Sequence, residues 1–231
     1  HHDLVIKFIY RFIKIVIERY TLPEMGQIWT ENAKLQSWLD VEIAACQANY
    51  ELGNIPERDL NDIRKKAQFN VARIKEIEKE VKHDVIAFLT NLNEYVGDSG
   101  RFIHVGMTSS DVLDTGLSLQ LKASCDLLIN EINKLEKGIR FLASQHKNTL
   151  MIGRSHAIHG EPISFGFKLA GWLAEIIRNK KRLISVKESI SVGQISGAMG
   201  TYANTDPRVE NITCKILGLN PDTASTQVIS R

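Results

Sequence analysis

The stretch GLSLQLKASCDLLINEINKLEKGIRFLASQHK, residues 116–147, decides the fold. Its apolar residues Leu121, Cys125, Leu128, Ile132, Leu135, Ile139 and Leu142 recur at alternating spacings of four and three. That is the heptad spacing of a long helix with one apolar seam. Lys122, Asp126, Asn130, Asn133 and Lys137 occupy the opposite face. At 1.5 Å per residue the helix runs roughly 45 Å. A helix of that length needs a bundle or a partner chain to bury its stripe.

Outward from this seam the pattern stays helical. No proline falls between Pro56 and Pro162, so long uninterrupted helices are allowed there. A second long helix is predicted from Pro162, with Phe165, Leu169, Trp172, Leu173, Ile176, Ile177, Leu183 and Ile184 on its apolar side. Residues 31–52 read as a helix closed by Gly53, and 59–68 and 71–96 as two more. No convincing run of alternating strands occurs. The predicted class is all-α. An N-terminal helical domain (residues 17–111) precedes the first long helices of a bundle (112–231). Loops are expected at 53–56, 97–110, 149–161 and 193–207, and the last three collect most of the polar, Gly-rich and His-bearing sequence.

Composition narrows the class. Of 231 residues, 43% are hydrophobic and 24% charged, as in an ordinary globular protein. A net charge of +2 gives no basic excess for nucleic acid. Cys46, Cys125 and Cys214 are odd in number, far apart and set among apolar or helix-forming neighbours, which predicts buried free thiols in a reducing cytosol. The Asn211-Ile-Thr213 sequon carries no meaning there. Residues 1–16 are apolar, with Lys7, Arg11 and Lys14 on one helical face. They are too short and too charged to span a membrane. A membrane-surface helix is one reading. Upstream sequence extraneous to the fold, with His1-His2 a tag remnant, is the other, and it is the expectation carried forward.

Five polar clusters could carry chemistry. Lys82-His83-Asp84 joins a cation, an imidazole and a carboxylate, or is simply a solvated helix face. Met107-Thr-Ser-Ser-Asp-Val-Leu-Asp114 opens the long helix, where Ser109 or Ser110 can cap it and the free amides suit an anion. Gly153-Arg-Ser-His156-Ala-Ile-His159-Gly-Glu-Pro162 has two histidines but no third ligand at zinc spacing, so a general acid near a bound anion is the better functional reading. Gly193-Gln-Ile-Ser-Gly197-Ala-Met-Gly200-Thr-Tyr-Ala-Asn204 lacks both the GK[ST] and the GxGxxG pattern. Ser225-Thr-Gln227 closes the chain's polar list.

In their order, these clusters and Ile17-Glu-Arg-Tyr-Thr-Leu-Pro-Glu-Met25 resemble the adenylosuccinate lyases, over about residues 17–231. The remaining motifs of that resemblance are Thr108-Ser-Ser-Asp111, Gly153-Arg-Ser-His156 and Ser196-Gly-Ala-Met-Gly-Thr-Tyr-Ala203. The resemblance places the chain in the fumarase/aspartase superfamily. It implies a cytoplasmic homotetramer with a core of long helices and active sites assembled from three subunits. The implied reaction is elimination of fumarate from adenylosuccinate, or from the succinyl-carboxamide ribotide of purine synthesis, with no metal or organic cofactor. By motif, His156 is the implied general acid and His83 binds substrate and assists, flanked by Lys82 and Asp84. Arg19 and Tyr20 are implied contacts of the nucleotide end, Thr108 and Ser109 of an anionic group, and Gln227 an orienting contact. His159 is a further candidate beside the acid. Many relatives carry Arg at the Lys82 position; the lysine keeps the charge but not bidentate anion binding.

One departure matters. The superfamily's serine loop, resembling Gly-Ser-Ser-x-Met-Pro-x-Lys-x-Asn, does not occur in this chain. The expectation is an N-terminal half without its catalytic base, inactive alone. The nearest rival is a superfamily lyase acting on argininosuccinate, aspartate or malate. A helical scaffold without chemistry explains the seam but not the loops around His83, Ser109 and His156.

Overall fold

The computed structural model describes residues 18–229. Both readings of residues 1–16 lie outside them. A 3-10 turn, Glu18–Tyr20, leads into α1 (Pro23–Ile28), which has proline in its first turn. Thr30 then caps α2 (Glu31–Glu51), accepting the Ala33 amide at 3.1 Å. The helix ends within a residue of its expected limit, and Gly53 follows at φ +79°. Next comes α3 (Glu57–Lys66), with Glu57 and Asp59 in its first turn and Arg64, Lys65 and Lys66 in its last, matching its dipole.

The helix expected over 71–96 is two helices, α4 (Val71–Val81) and α5 (Asp84–Val96). The break falls at Lys82, left-handed at φ +57°, and at His83, which is extended. His83 Nδ1 accepts the Ile86 amide at 3.4 Å and so caps α5. Lysine in αL and histidine as a cap are both unusual, so the sequence carries no ordinary breaker signal there. The two helices close a core with α2, in which Trp38 meets Phe88 edge-to-face at 5.6 Å among Leu35, Leu39, Ile74, Ile77, Val85 and Leu92.

A 3-10 turn, Gly97–Phe102, and a loop precede α6 (Ser109–Gln145), whose 37 residues are the predicted long helix. At 1.5 Å per residue it is about 54 Å long. Its cap is Thr108 rather than Ser109 or Ser110, and the Asp111 carboxylate accepts the Thr108 amide at 2.9 Å.

The next segment corrects the loop expectation. Residues 150–164 form an antiparallel hairpin, β1 (Leu150–Ser155) and β2 (Ile158–Ser164). Its register slips between Ile152 and Arg154. Pro162 sits in β2 opposite Ile152, so the second long helix, α7 (Phe165–Ile190), starts later than expected, capped by Ser164. Gly166 lets the hairpin's root press on α6: a Cβ there would lie 2.5 Å from the Ala143 carbonyl oxygen.

Helix α7 returns antiparallel along α6. Lys180 pairs with Glu136 at 3.1 Å, and Lys187 pairs with Asp126 nearer α6's start. The seam is only partly covered in one chain: Leu128, Leu135 and Leu142 remain 44%, 51% and 39% exposed. Short bridges β3 (Val192–Gly193) and β4 (Asn220–Pro221) flank α8 (Pro207–Leu217), whose Val209 packs with Val41, Ala48 and Ile195. All three cysteines are buried and free, as expected. No described helix is long and apolar enough to cross a membrane.

Candidate active site

The N-terminal end of α6 is where the polar motifs meet. The break before α5 brings His83 beside it, with Nε2 3.4 Å from the Ser109 hydroxyl. Because Nδ1 accepts from the Ile86 amide, the neutral ring carries its proton on Nε2 and can donate toward Ser109. Asp84 lies 3.4 Å from Nδ1 and also holds the Val85 amide at 2.8 Å. His83 and Asp84 are both substantially exposed, at 40% and 48%, so they are open to a ligand. A donor imidazole, a hydroxyl and a helix's positive end together suit an anion. Lys82 stands exposed at the turn before them.

Asp111, fully buried, ties the Gly-rich loop to this end. Its carboxylate accepts the Ser196 amide at 3.3 Å and the Gly197 amide at 3.1 Å, besides that of Thr108. Burial pushes its carboxyl above the usual value, against those three donors. Thr115 and Gln194 exchange two hydrogen bonds a turn further on. Gln194 Nε2 donates to the Thr226 carbonyl at 3.0 Å, and the Ile229 amide donates to Asp114 at 3.0 Å. Gln227 lies exposed between those two anchors, at the same end of α6.

Behind this patch is a pair that the sequence does not announce. His104, at φ +66°, puts Nδ1 2.6 Å from Glu42 Oε1, with the Glu42 side chain 2% exposed. Burial pushes the imidazole down, but the Glu42 hydrogen bond and the charges of Glu42 and Asp111 outweigh it and hold His104 above its ordinary 6.5.

Two predicted groups sit apart. Arg19 stacks on Tyr20 at 4.8 Å, beside a cavity of about 630 Å³ lined by Tyr20, Thr21, Pro23, Met25 and Trp29. This segment is moored further along α6, where Trp29 donates to Ser124 at 3.1 Å and Gln120 to the Ile28 carbonyl at 2.7 Å. His156 is at the far end. It and Ala157 form the tip of the hairpin, both left-handed at φ +52° and +63°. The hairpin is rooted at the C-terminal end of α6, and its strands reach about 20 Å. With α6 about 54 Å long, His156 stays roughly 30 Å or more from Ser109 of the same chain. His159, also exposed, lies opposite Arg154 in the hairpin. Among the described residues no group of three His, Cys, Asp or Glu side chains is arranged to hold a metal.

The chain as a whole has known relatives. A family profile described as a lyase matches residues 18–230. The chain belongs to that lyase family. Relatives include adenylosuccinate lyases from Synechocystis sp., 66% identical over 216 residues, and from Bacillus subtilis, 47% identical over 216 residues. Each alignment covers 94% of this chain and 50% of the relative, so the chain spans about half the length of the curated relatives it matches. Among solved structures, a fumarate lyase from Mesorhizobium sp. BNC1 superposes with a TM-score of 0.81 at 27% identity, covering 86% of this chain and 48% of that one. A 3-carboxy-cis,cis-muconate lactonizing enzyme from Pseudomonas putida gives 0.81 at 28% identity, over 88% and 48%. The helical class and the adenylosuccinate lyase resemblance read from the motifs both hold.

Proposed function

We propose that this chain carries the substrate-anion and acid-catalyst parts of a lyase that eliminates fumarate from adenylosuccinate, leaving AMP, and from the succinyl-carboxamide ribotide. One observation carries the reading. Four of the motifs converge on one end of α6, whereas His156 is displayed, exposed and left-handed, on a hairpin at the other. A pocket with anion donors but no acid, and an acid with no pocket, fit each other across two copies of the chain. The open seam at Leu128, Leu135 and Leu142 is the surface on which copies associate, in a cytoplasmic homotetramer.

In the assembled site, His83 Nε2–H and the Ser109 and Thr108 hydroxyls bind an anionic group of the substrate. Asp84 and Lys82 border the group, and Gln227 orients it. Arg19 and Tyr20 take the nucleotide end. A base removes the proton next to a carboxylate, and positioned donors stabilise the resulting aci-carboxylate. His156 of a second copy protonates the departing nitrogen. No metal or organic cofactor enters the reaction. The serine loop that the resemblance implies as the base is not in this sequence, so the base is assigned to no residue here.

The test joins residues 18–229 to the second half of the Synechocystis relative and follows fumarate release by absorbance. His156→Ala is expected to lower kcat roughly 10²–10⁴-fold, the usual worth of a general acid. An unchanged kcat contradicts the assignment.

A further inference from the structure

The Gly-rich loop beside the site is gripped from below by a carboxylate with no other evident task. Glu210 lies on α8 and is 4% exposed. Its Oε2 accepts the Ile195 amide at 2.8 Å, and its Oε1 accepts the Tyr202 hydroxyl at 2.8 Å. Both oxygens are therefore spent on the two flanks of one loop. Burying a carboxylate is costly unless its partners are well placed. Here those partners serve loop geometry, not the packing of α8, which Val209 and Cys214 already provide.

The loop so held is not core. Ala198, Met199 and Thr201 are exposed, and Gly197, Gly200 and Tyr202 are all left-handed. The Tyr202 amide closes the loop on the Ser196 carbonyl at 3.0 Å. On one side the loop is tied through Asp111 to the turn that bears Thr108 and Ser109. On the other, Gly200 presses on the backbone of Ser225 and Thr226: a Cβ there would stand 2.2 Å from the Ser225 carbonyl oxygen. The loop thus spans the gap between the Ser109 patch and the Gln227 segment.

We infer that Glu210, acting through the Tyr202 hydroxyl and the Ile195 amide, is a positioning residue that sets this loop as a wall of the anion pocket. The inference rests on the lyase reading of that pocket. Burial and then the Glu210 hydrogen bond and charge push the Tyr202 phenol up to about 12, so the hydroxyl keeps its proton to donate.

The experiment uses the 231-residue chain joined to the second half of the Synechocystis relative, amide hydrogen exchange and a fumarate titration. Tyr202→Phe removes one hydroxyl and keeps the ring. It is expected to speed exchange across 195–202 about tenfold, the worth of one hydrogen bond to a charged acceptor, and to leave α2 and α6 unchanged. Fumarate binding should weaken by a similar factor. Glu210→Gln, which keeps the shape and loses the charge, should fall between wild type and Glu210→Ala in both measurements. Unchanged loop exchange in Tyr202→Phe overturns the clamp. Faster exchange with unchanged fumarate affinity overturns the positioning role, leaving only a structural one. An unsubstituted joined enzyme that ignores fumarate overturns the pocket itself, and is recognised before any substitution is made.

Discussion

At His83 one ring serves two elements: Nδ1 closes the first turn of α5 while Nε2 faces Ser109. The helix break thereby fixes the tautomer with its proton on Nε2, the nitrogen that faces Ser109. At His104 the fixing group is Glu42, and the consequence is a pH dependence of stability. The folded pKa lies above 6.5, so the pair's contribution is fully present below that value and is lost as pH rises through the raised one. Thermal unfolding between about pH 6 and about pH 8.5 is the measurement, since this window holds the imidazole range. Wild-type Tm should fall across it. Glu42→Gln should start lower and fall less. Equal slopes in the two proteins contradict the pairing. None of this was legible in the chain: Glu42 reads as one polar residue on a helix face, and nothing local points it at residue 104. The Lys82-His83-Asp84 cluster was legible as a polar cluster but was placed inside a helix, where the chain in fact breaks. Its reading on a helix fails because the cap is an imidazole, where a hydroxyl or carboxamide would have marked the boundary.

The long helices could be read because packing imposes their period, and α2 and α6 end within a few residues of expectation. The hairpin could not. Its turn is His156-Ala157, not Asn-Gly, and its strands pack on no core that would impose alternation. Two left-handed residues that are not glycine cost about 1 kcal/mol or more each, and such strain gathers where function holds it. Ala157→Gly removes one of these costs without touching the imidazole. It should slow exchange of the hairpin amides several-fold and leave kcat of the joined enzyme near wild type. Unchanged or faster exchange means that the tip is not strained as described. The same element explains why four motifs were found together and His156 was not. Proximity along α6's first turns comes from local caps and loops, whereas the hairpin is rooted at α6's other end and is too short to return to them.

For the whole molecule, the proposed shared site draws on two observations: a seam left half open, and His156 held roughly 30 Å or more from Ser109. The heptad pattern announces that a partner is needed. It does not say which copy lends which residue, because that is a property of the symmetry and not of the chain. In the proposed assembly, His83 and His156 of one site come from different copies. The direct measurement uses the joined enzyme in two forms, His83→Asn, which keeps a capping side chain, and His156→Ala. Each alone should be nearly inactive. Unfolded, mixed in equal amounts and reassembled, they should recover about a quarter of wild-type fumarate release, because random mixing leaves both imidazoles intact in about one site in four. A mixture as inactive as its parents contradicts the account and places both histidines of a site on one chain.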